Sequence, residues 1–359
     1  MKKGDKLTGR RGTYTVLEDF VVTGGMSKVS FVKLDADGKE YFIKEFLAPK
    51  LSAAGGPATR EKSRKKCEAF EKHHHRINSK ISKKNAIGGN LISAFDFFRA
   101  GTTYYKVCEK IDISSISIKE VSKLPVSQRR LILRTIVSSL KILHDLDIVH
   151  GDLKQDNILI KKFKDRYIAK LIDFDNSYFS SLAPEKSEEL VGTQEYYSPE
   201  LAGYIIADGK VKPEHLTTKS DIFALGILFS EYWCGEKPLF KKDFQYVWQV
   251  VYSGDNVTFS KRIPPVILEL IKQMLSADPS ARPDLSAVIQ YFRDHEDEKD
   301  FEVSDLPPEK KPEIKEDEVP KRDTPDGGGI LRGKLMKKLE AGSPAPEPFL
   351  KGKMFNKKS

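Results

Sequence analysis

The stretch HGDLKQDNILIKKFKDRYIAKLIDFDNS, His150 to Ser177, constrains this chain more than any other feature. Asp152, Asn157 and Asp173 carry hard oxygens and are separated by apolar runs, Ile158 to Ile160 and Ala169 to Ile172, that read as short strands. Moving a phosphoryl group requires a divalent cation to spread the donor's negative charge and a carboxylate to receive the acceptor's proton. Asp152 is placed to be that carboxylate. Asn157, five residues on, has the spacing for an amide oxygen to ligate a metal, and Asp173 can bridge metal and phosphates. Oxygen ligands are what magnesium prefers. The bland reading makes these acids ordinary turn residues, but three polar groups at these intervals between apolar strands favour the chemistry.

The pattern on either side fixes the fold class. TYTVLEDFVVTGG and KVSFVKLDADGKEYFIKEF alternate apolar and polar residues around a turn at Asp37-Gly38, and strand patterns return in ISAFDFFRAGTTYYKVCEKI. Between them a helix is expected, with Cys67, Phe70, His74, Ile77 and Ile81 at spacings of three and four. After Ser122 the character changes. SQRRLILRTIVSSLKILHDL is an amphipathic helix with Leu131, Thr135, Ile136, Leu140 and Leu143 on one side, and SDIFALGILFSEYW and PPVILELIKQML follow as further helices. The expected fold class is α+β, with a small β-rich lobe at 13–111, a larger helical lobe at 112–295 and a charged, Pro-rich disordered tail at 296–359.

The tail is too poor in apolar residues to fold alone. Within it ILRGKLMKKLEAG has the pattern of a basic amphipathic helix, and Phe349, Leu350, Met354 and Phe355 are candidate docking residues. The net charge of +9 comes from scattered lysines without a nucleic-acid motif, so a solvated surface is expected rather than specific nucleic-acid binding. No apolar run approaches the roughly 18 residues of a membrane span, and the basic start MKKGDKLTGRRGTY lacks the apolar stretch of a secretory signal. The three cysteines, Cys67, Cys108 and Cys234, are far apart and odd in number, which suits a reducing cytoplasm. Adjacent residues on a helix point apart, so the run His73, His74, His75 is not expected to bind metal.

HGDLKQDN resembles the catalytic loop HRDLKxxN, and DFD resembles the metal-binding DFG, of the eukaryotic-type protein kinases, in particular the Ser/Thr kinases of bacteria. The resemblance covers about residues 13 to 293. It implies ATP and Mg2+ as cofactors and protein Ser/Thr hydroxyls as acceptors. Asp152 corresponds to the catalytic Asp, Lys154 to the lysine that Ser/Thr kinases place near the transferred phosphate, and Asn157 and Asp173 to the metal ligands. VTGGMSKV is similar to the phosphate-covering loop, with Gly24, Gly25 and Ser27 at the nucleotide. Lys44 in YFIK aligns with the phosphate-binding lysine, whose helix partner is expected to be Glu71, or failing that Glu68. Val29 and Leu159 align with the residues that sandwich adenine, and Glu109 and Ile111 with the hinge, after Cys108 in the gatekeeper place. VGTQEYYSPEL resembles the peptide platform: Thr193 corresponds to the threonine bonded to the catalytic Asp and Lys, and Glu200 to the glutamate that pairs with an arginine, here Arg282 in DPSARP. Asp221 in SDIFALG corresponds to the helix residue that tethers the catalytic loop.

The departures leave two alternatives open. Phe42 stands where the family has Ala above adenine, and Val22 and Ser27 replace two loop glycines; a pseudokinase scaffold is the first alternative. HGD…N…DFD also occurs in small-molecule phosphotransferases of the same fold, which lack the Thr193, Glu200–Arg282 and Asp221 set. Gly151 replaces the arginine that pairs with a phosphorylated loop, so activity is not expected to depend on phosphorylation at Thr193, Ser181 or Ser187. Asp175 replaces the DFG glycine and adds a carboxylate near the metals. An insertion before the helix, the CxxFE run at Cys67 and the basic tail look like kinases of bacterial stress or defence operons, whose expected partners are a metal-dependent phosphatase and a von Willebrand A-type protein.

Overall fold

The computed structural model describes residues 1–23, 27–52, 54–85, 91–111, 116–206, 211–241, 243–297 and 301. Gly24 and Gly25 lie outside them, as do the expected tail helix and Phe349, Leu350, Met354 and Phe355.

Alternating residues build a seven-stranded antiparallel sheet from β1 (Lys6–Thr8), β2 (Thr13–Val16), β3 (Val21–Thr23), β4 (Ser27–Leu34), β5 (Glu40–Phe46), β6 (Ala94–Ala100) and β7 (Thr103–Glu109). It begins at Lys6, earlier than the expected residue 13. The order is β1-β2-β4-β5-β7-β6, with β3 on the other end of β4. One long edge partner of β4 is thus interrupted at residues 17–20, where Ser30 Oγ donates to the Glu18 carbonyl at 2.6 Å. Gly38 makes the β4–β5 turn at φ 70°, a conformation that costs glycine little. One face of the sheet buries Tyr14, Val32, Ile43 and Val107. Helix α1 (Pro57–Asn85) covers the other side. Its Cys67 and Phe70 pack with Phe46, Phe97 and Tyr104, and Ile77 and Ile81 reach the larger core of the helical part.

That part contains α2 (Ile118–Val121), α3 (Val126–His144), β8 (Ile148–Val149), β9 (Ile158–Phe163), β10 (Arg166–Leu171), β11 (Tyr178–Phe179), α4 (Pro199–Ile206), α5 (Lys219–Cys234), α6 (Val247–Ser253), α7 (Pro265–Met274) and α8 (Leu285–Asp294). The α+β class expected from the pattern is what the chain adopts. Helix α5 is mainly apolar and buried on every side from Ser220 to Cys234, as a helix at the centre of a bundle must be. A Cβ on Gly226 would stand 2.9 Å from Met274 Cβ, so glycine permits the close approach of α5 and α7. On α3 the buried face is Ile132, Leu133, Ile136, Val137, Leu140 and Leu143. Leu131, expected on it, is only half-buried, because the face is wider and centred one residue further on. Two small ladders, β9 with β10 and β8 with β11, support the loops that carry the polar residues.

Candidate active site

The loop after β8 is held from beneath. Asp221, 3% exposed at the start of α5, accepts the backbone N–H of His150 at 2.7 Å on Oδ2 and that of Gly151 at 3.2 Å on Oδ1. His144 Nε2 stands 3.1 Å from the same Oδ2. Buried N–H groups must find acceptors, and here one carboxylate sets the loop's backbone. Gly151 has φ 78°, and a Cβ there would meet the Asn176 carbonyl oxygen at 2.3 Å. A side chain here would be strained and would force the Asn176 backbone to shift, so the glycine of HGD suits this conformation.

Above this floor three side chains close a triangle. Lys154 Nζ donates to Asp152 Oδ2 at 2.7 Å and to Thr193 Oγ1 at 2.8 Å, and Thr193 Oγ1 donates to Asp152 Oδ1 at 3.0 Å. Asn157 Nδ2 donates to the Asp152 carbonyl at 2.8 Å, which turns its carboxamide oxygen the other way. Ladder β9–β10 then brings Asp173 into place, because Ile172 N bonds the Asn157 carbonyl at 3.0 Å. Asp173 adopts φ 63°, a left-handed conformation that Asp tolerates better than most residues. Phe174 beside it is buried, its ring edge-on to His150 at 5.5 Å. The carboxylate of Asp173 and the amide oxygen of Asn157 are hard donors of the type Mg2+ takes, so the residues present fit the metal.

Lys44 lies on β5, and its Nζ reaches Asp173 at 2.9 and 3.1 Å. The same Nζ is 2.6 Å from Asp175 Oδ2. Glu71, expected as its helix partner, is elsewhere. Its Oε1 accepts from Tyr104 Oη at 2.8 Å and lies 3.9 Å from Arg99 Nε. Glu68 pairs with Arg64 at 2.6 Å on the exposed side of α1. The reason is helical phase. Packing Cys67, Phe70, Ile77 and Ile81 inward turns His74, not a glutamate, toward the site. Its Nδ1 is 4.0 Å from Asp175 Oδ1, and its ring stacks on Phe97 at 4.8 Å. Burial pushes the His74 pKa down to about 3, so the imidazole is neutral.

Lys106 on β7 also enters the site, and sequence reasoning missed it. It contacts Asp175 Oδ1 closely and Asp173 Oδ1 at 3.5 Å. A signal was present: TYYKVCE places a lysine at an inward position of an otherwise apolar strand. Burial works against charge on both lysines. The fields of Asp175 and then Asp173 outweigh it, so both ammonium pKa values are raised. Burial likewise opposes ionisation of Asp175, and Lys106 and Lys44 overcome that, holding its carboxyl well below the usual range.

Of the expected nucleotide contacts, Ser27 opens β4 and is buried. Val29 on β4 and Leu159 on β9 are half-buried. Glu109 ends β7 and Ile111 follows it. Phe42 is paired with Cys108 across the β5–β7 ladder, and its ring is held edge-on against Phe31 at 6.2 Å.

The peptide-platform residues meet as well. Glu200 on α4 and Arg282 form a two-point ion pair that Ser220 Oγ joins at 2.9 Å from Oε1. An antiparallel sheet over a helical body, with an Asp–Lys–Thr triangle beside two oxygen donors, defines a kinase-like domain. Residues 23–292 match the protein kinase domain, and the chain belongs to that family. It is similar to the serine/threonine-protein kinase PSK2 of Saccharomyces cerevisiae, 27% identical over 206 residues, covering 56% of this chain and 17% of that protein. It is also similar to ULK3 of Xenopus laevis, 25% identical over 260 residues (67% of this chain, 53% of that protein). Nek4 of Mus musculus is 26% identical over 274 residues (76% and 32%). The chain thus spans well under two thirds of each of these relatives.

Proposed function

We propose that this chain transfers the γ-phosphate of ATP to serine or threonine hydroxyls of protein substrates. The observation that carries the reading is the triangle of Asp152, Lys154 and Thr193, in which the lysine joins the proton-accepting carboxylate to the peptide platform. Relatives whose names contain serine/threonine-protein kinase support the acceptor type.

Asp152 Oδ2 accepts from Lys154 at 2.7 Å and from Asn157 Nδ2 at 3.3 Å, whereas Oδ1 accepts one hydrogen bond, from Thr193 at 3.0 Å. Oδ1 therefore keeps a lone-pair site to which a hydroxyl can donate without disturbing the triangle. Asp152 orients that hydroxyl and takes its proton. Lys154, whose ammonium has a third donor beyond those given to Asp152 and Thr193, steadies the phosphate charge, and Lys44 grips the phosphates from the sheet. Asp173 and Asn157 would hold Mg2+, which would supply neutralisation of the phosphate charge. Most of the rate then comes from positioning and charge stabilisation.

The Glu200–Arg282 pair and the Val191 to Leu201 segment support a protein acceptor over a small molecule. The complete set of Lys44, Asp152, Lys154, Asn157 and Asp173 opposes a purely scaffolding role. On the sequence resemblance alone, the proposal extends to a bacterial, cytoplasmic kinase with a metal-dependent phosphatase and a von Willebrand A-type protein as partners.

The test is intact-mass analysis of the full chain incubated with Mg·ATP and a generic basic protein, with Asp152→Asn and Asp173→Ala beside it. Phosphate on serine or threonine from the wild type, lowered about 10²–10⁴-fold in Asp152→Asn, supports the reading. No transfer by the wild type, together with no stabilisation by ATP, overturns it in favour of the scaffold.

A further inference from the structure

Lys44 and Lys106 are direct cross-strand partners in the β5–β7 ladder, so their side chains rise side by side on one face of the sheet. They are 14% and 8% exposed. Like charges directly opposite each other destabilise a sheet, and two desolvated ammonium groups require counter-charge. Among the described residues that charge comes from one short segment, Asp173 and Asp175, flanking the buried Phe174. Helix α1 contributes none: its nearest titratable group is the neutral His74, while Glu71 is engaged by Tyr104 and Glu68 by Arg64.

The two aspartates differ. Asp173 is 34% exposed and, on the kinase reading, would hold the metal. Asp175 is 11% exposed and lies between the two lysines, Oδ2 at 2.6 Å from Lys44 and Oδ1 on Lys106. When Asp173 gives its charge to a cation, Asp175 remains, among the described residues, as the carboxylate on both lysines.

We propose that Asp175 is the positioning residue for Lys44, in the place a helix glutamate would take, with Lys106 as a second buried cation that steers the aspartate and leaves a surplus positive charge facing the nucleotide phosphates. The assignment rests on the kinase reading and deepens it. Its consequence is that Lys44 is set from the strand-and-loop side of the site, so that displacement of α1 does not release it.

The experiment compares the full-length wild type, Glu71→Gln, Asp175→Asn and the double variant Asp175→Asn/Lys106→Met by ATP affinity, kcat and thermal stability. Lys106→Met removes the cation that Asp175→Asn would leave buried and unpaired, which separates folding from function. The expected result is that Glu71→Gln leaves kcat and ATP affinity unchanged. Asp175→Asn should lower kcat by roughly 10²-fold, the scale of a misplaced catalytic group. The double variant should recover thermal stability without recovering kcat. A loss of that size in Glu71→Gln with none in Asp175→Asn overturns the assignment, as does full recovery of kcat in the double variant, which would make Asp175 a counter-ion of Lys106 only. Should the wild type bind ATP but transfer no phosphate, the ATP affinities of the four proteins decide the assignment by the same ordering. A wild type that binds no nucleotide overturns both.

Discussion

Arg282 and Glu200, 82 residues apart along the chain, meet through two parallel hydrogen bonds, Nη1 to Oε1 at 2.7 Å and Nη2 to Oε2 at 2.8 Å. The guanidinium is completely buried and also donates to the carbonyls of Ser276, at 2.9 Å, and Lys219, at 2.8 Å. A buried charge with every donor placed fixes geometry at least as much as it adds energy. It ties α4 to the loop before α8.

Removing one partner strands the other. Arg282→Ala is expected to cost about 3–5 kcal/mol, because Glu200 would keep only the Ser220 hydroxyl and lose its buried counter-charge. Lysine cannot reproduce the fork, so Arg282→Lys should recover only part of it. Urea unfolding midpoints of the three proteins check this, and equal midpoints for Arg282→Lys and wild type would contradict it.

Asp221 acts through backbone rather than substrate. Asp221→Asn keeps the shape but turns an amide N–H₂ toward one of the two N–H groups of His150 and Gly151. A drop in kcat of roughly 10–10²-fold is expected with little change in ATP affinity. Steady-state kinetics over a range of ATP concentrations separates the two.

Restoring the family arginine at Gly151 should fail. The left-handed backbone alone costs a non-glycine residue about 1–2 kcal/mol, and the contact with the Asn176 carbonyl adds to it. Gly151→Arg is therefore expected to lose both stability and transfer activity. Ser181→Ala and Ser187→Ala should remain active, since no arginine is present at this position to read a loop phosphate. Steep activation by loop phosphorylation, abolished in either variant, would count against that expectation.

Glu231 on α5 accepts from Tyr196 Oη at 2.9 Å and has Lys237 at 3.9 Å. Burial pushes its pKa from 4.5 up to about 7, against the opposing pull of Lys237. Below pH 4.5 the group is protonated in both folded and unfolded chains. Between 4.5 and 7 the unfolded chain gives up this proton while the folded one keeps it, so stability falls as pH rises. Glu231→Gln should therefore be more stable than wild type above pH 7, by up to about 3 kcal/mol, with the difference vanishing toward pH 4.5. Denaturation at pH 5 and pH 8 measures it.

Much of this was legible along the chain because it is local. The β4–β5 hairpin follows from alternation and the turn at Gly38, and α5 from an apolar run too long for a strand. Asp152, Lys154 and Asn157 lie within six residues, so a single loop conformation sets their relations. Thr193, Glu200, Asp221 and Arg282 stand out by their neighbours' pattern. The structure brings Thr193 to Asp152, Glu200 to Arg282, and Asp221 beneath the loop.

The partner of Lys44 was not legible. On α1, Glu68, Glu71 and His74 are spaced at three, and each residue turns the helix by roughly 100°. Which of them faces the site depends on a small rotation that Phe46, Phe97 and Tyr104 impose through Cys67 and Phe70. The sequence by itself determined the strands, the helices and the short loop that holds Asp152 and Asn157, since those rest on neighbours a few residues away. Only the tertiary structure decided that Lys44 would stand opposite Lys106 and between two aspartates, because strand register and helix phase are set by side chains packing across the whole domain.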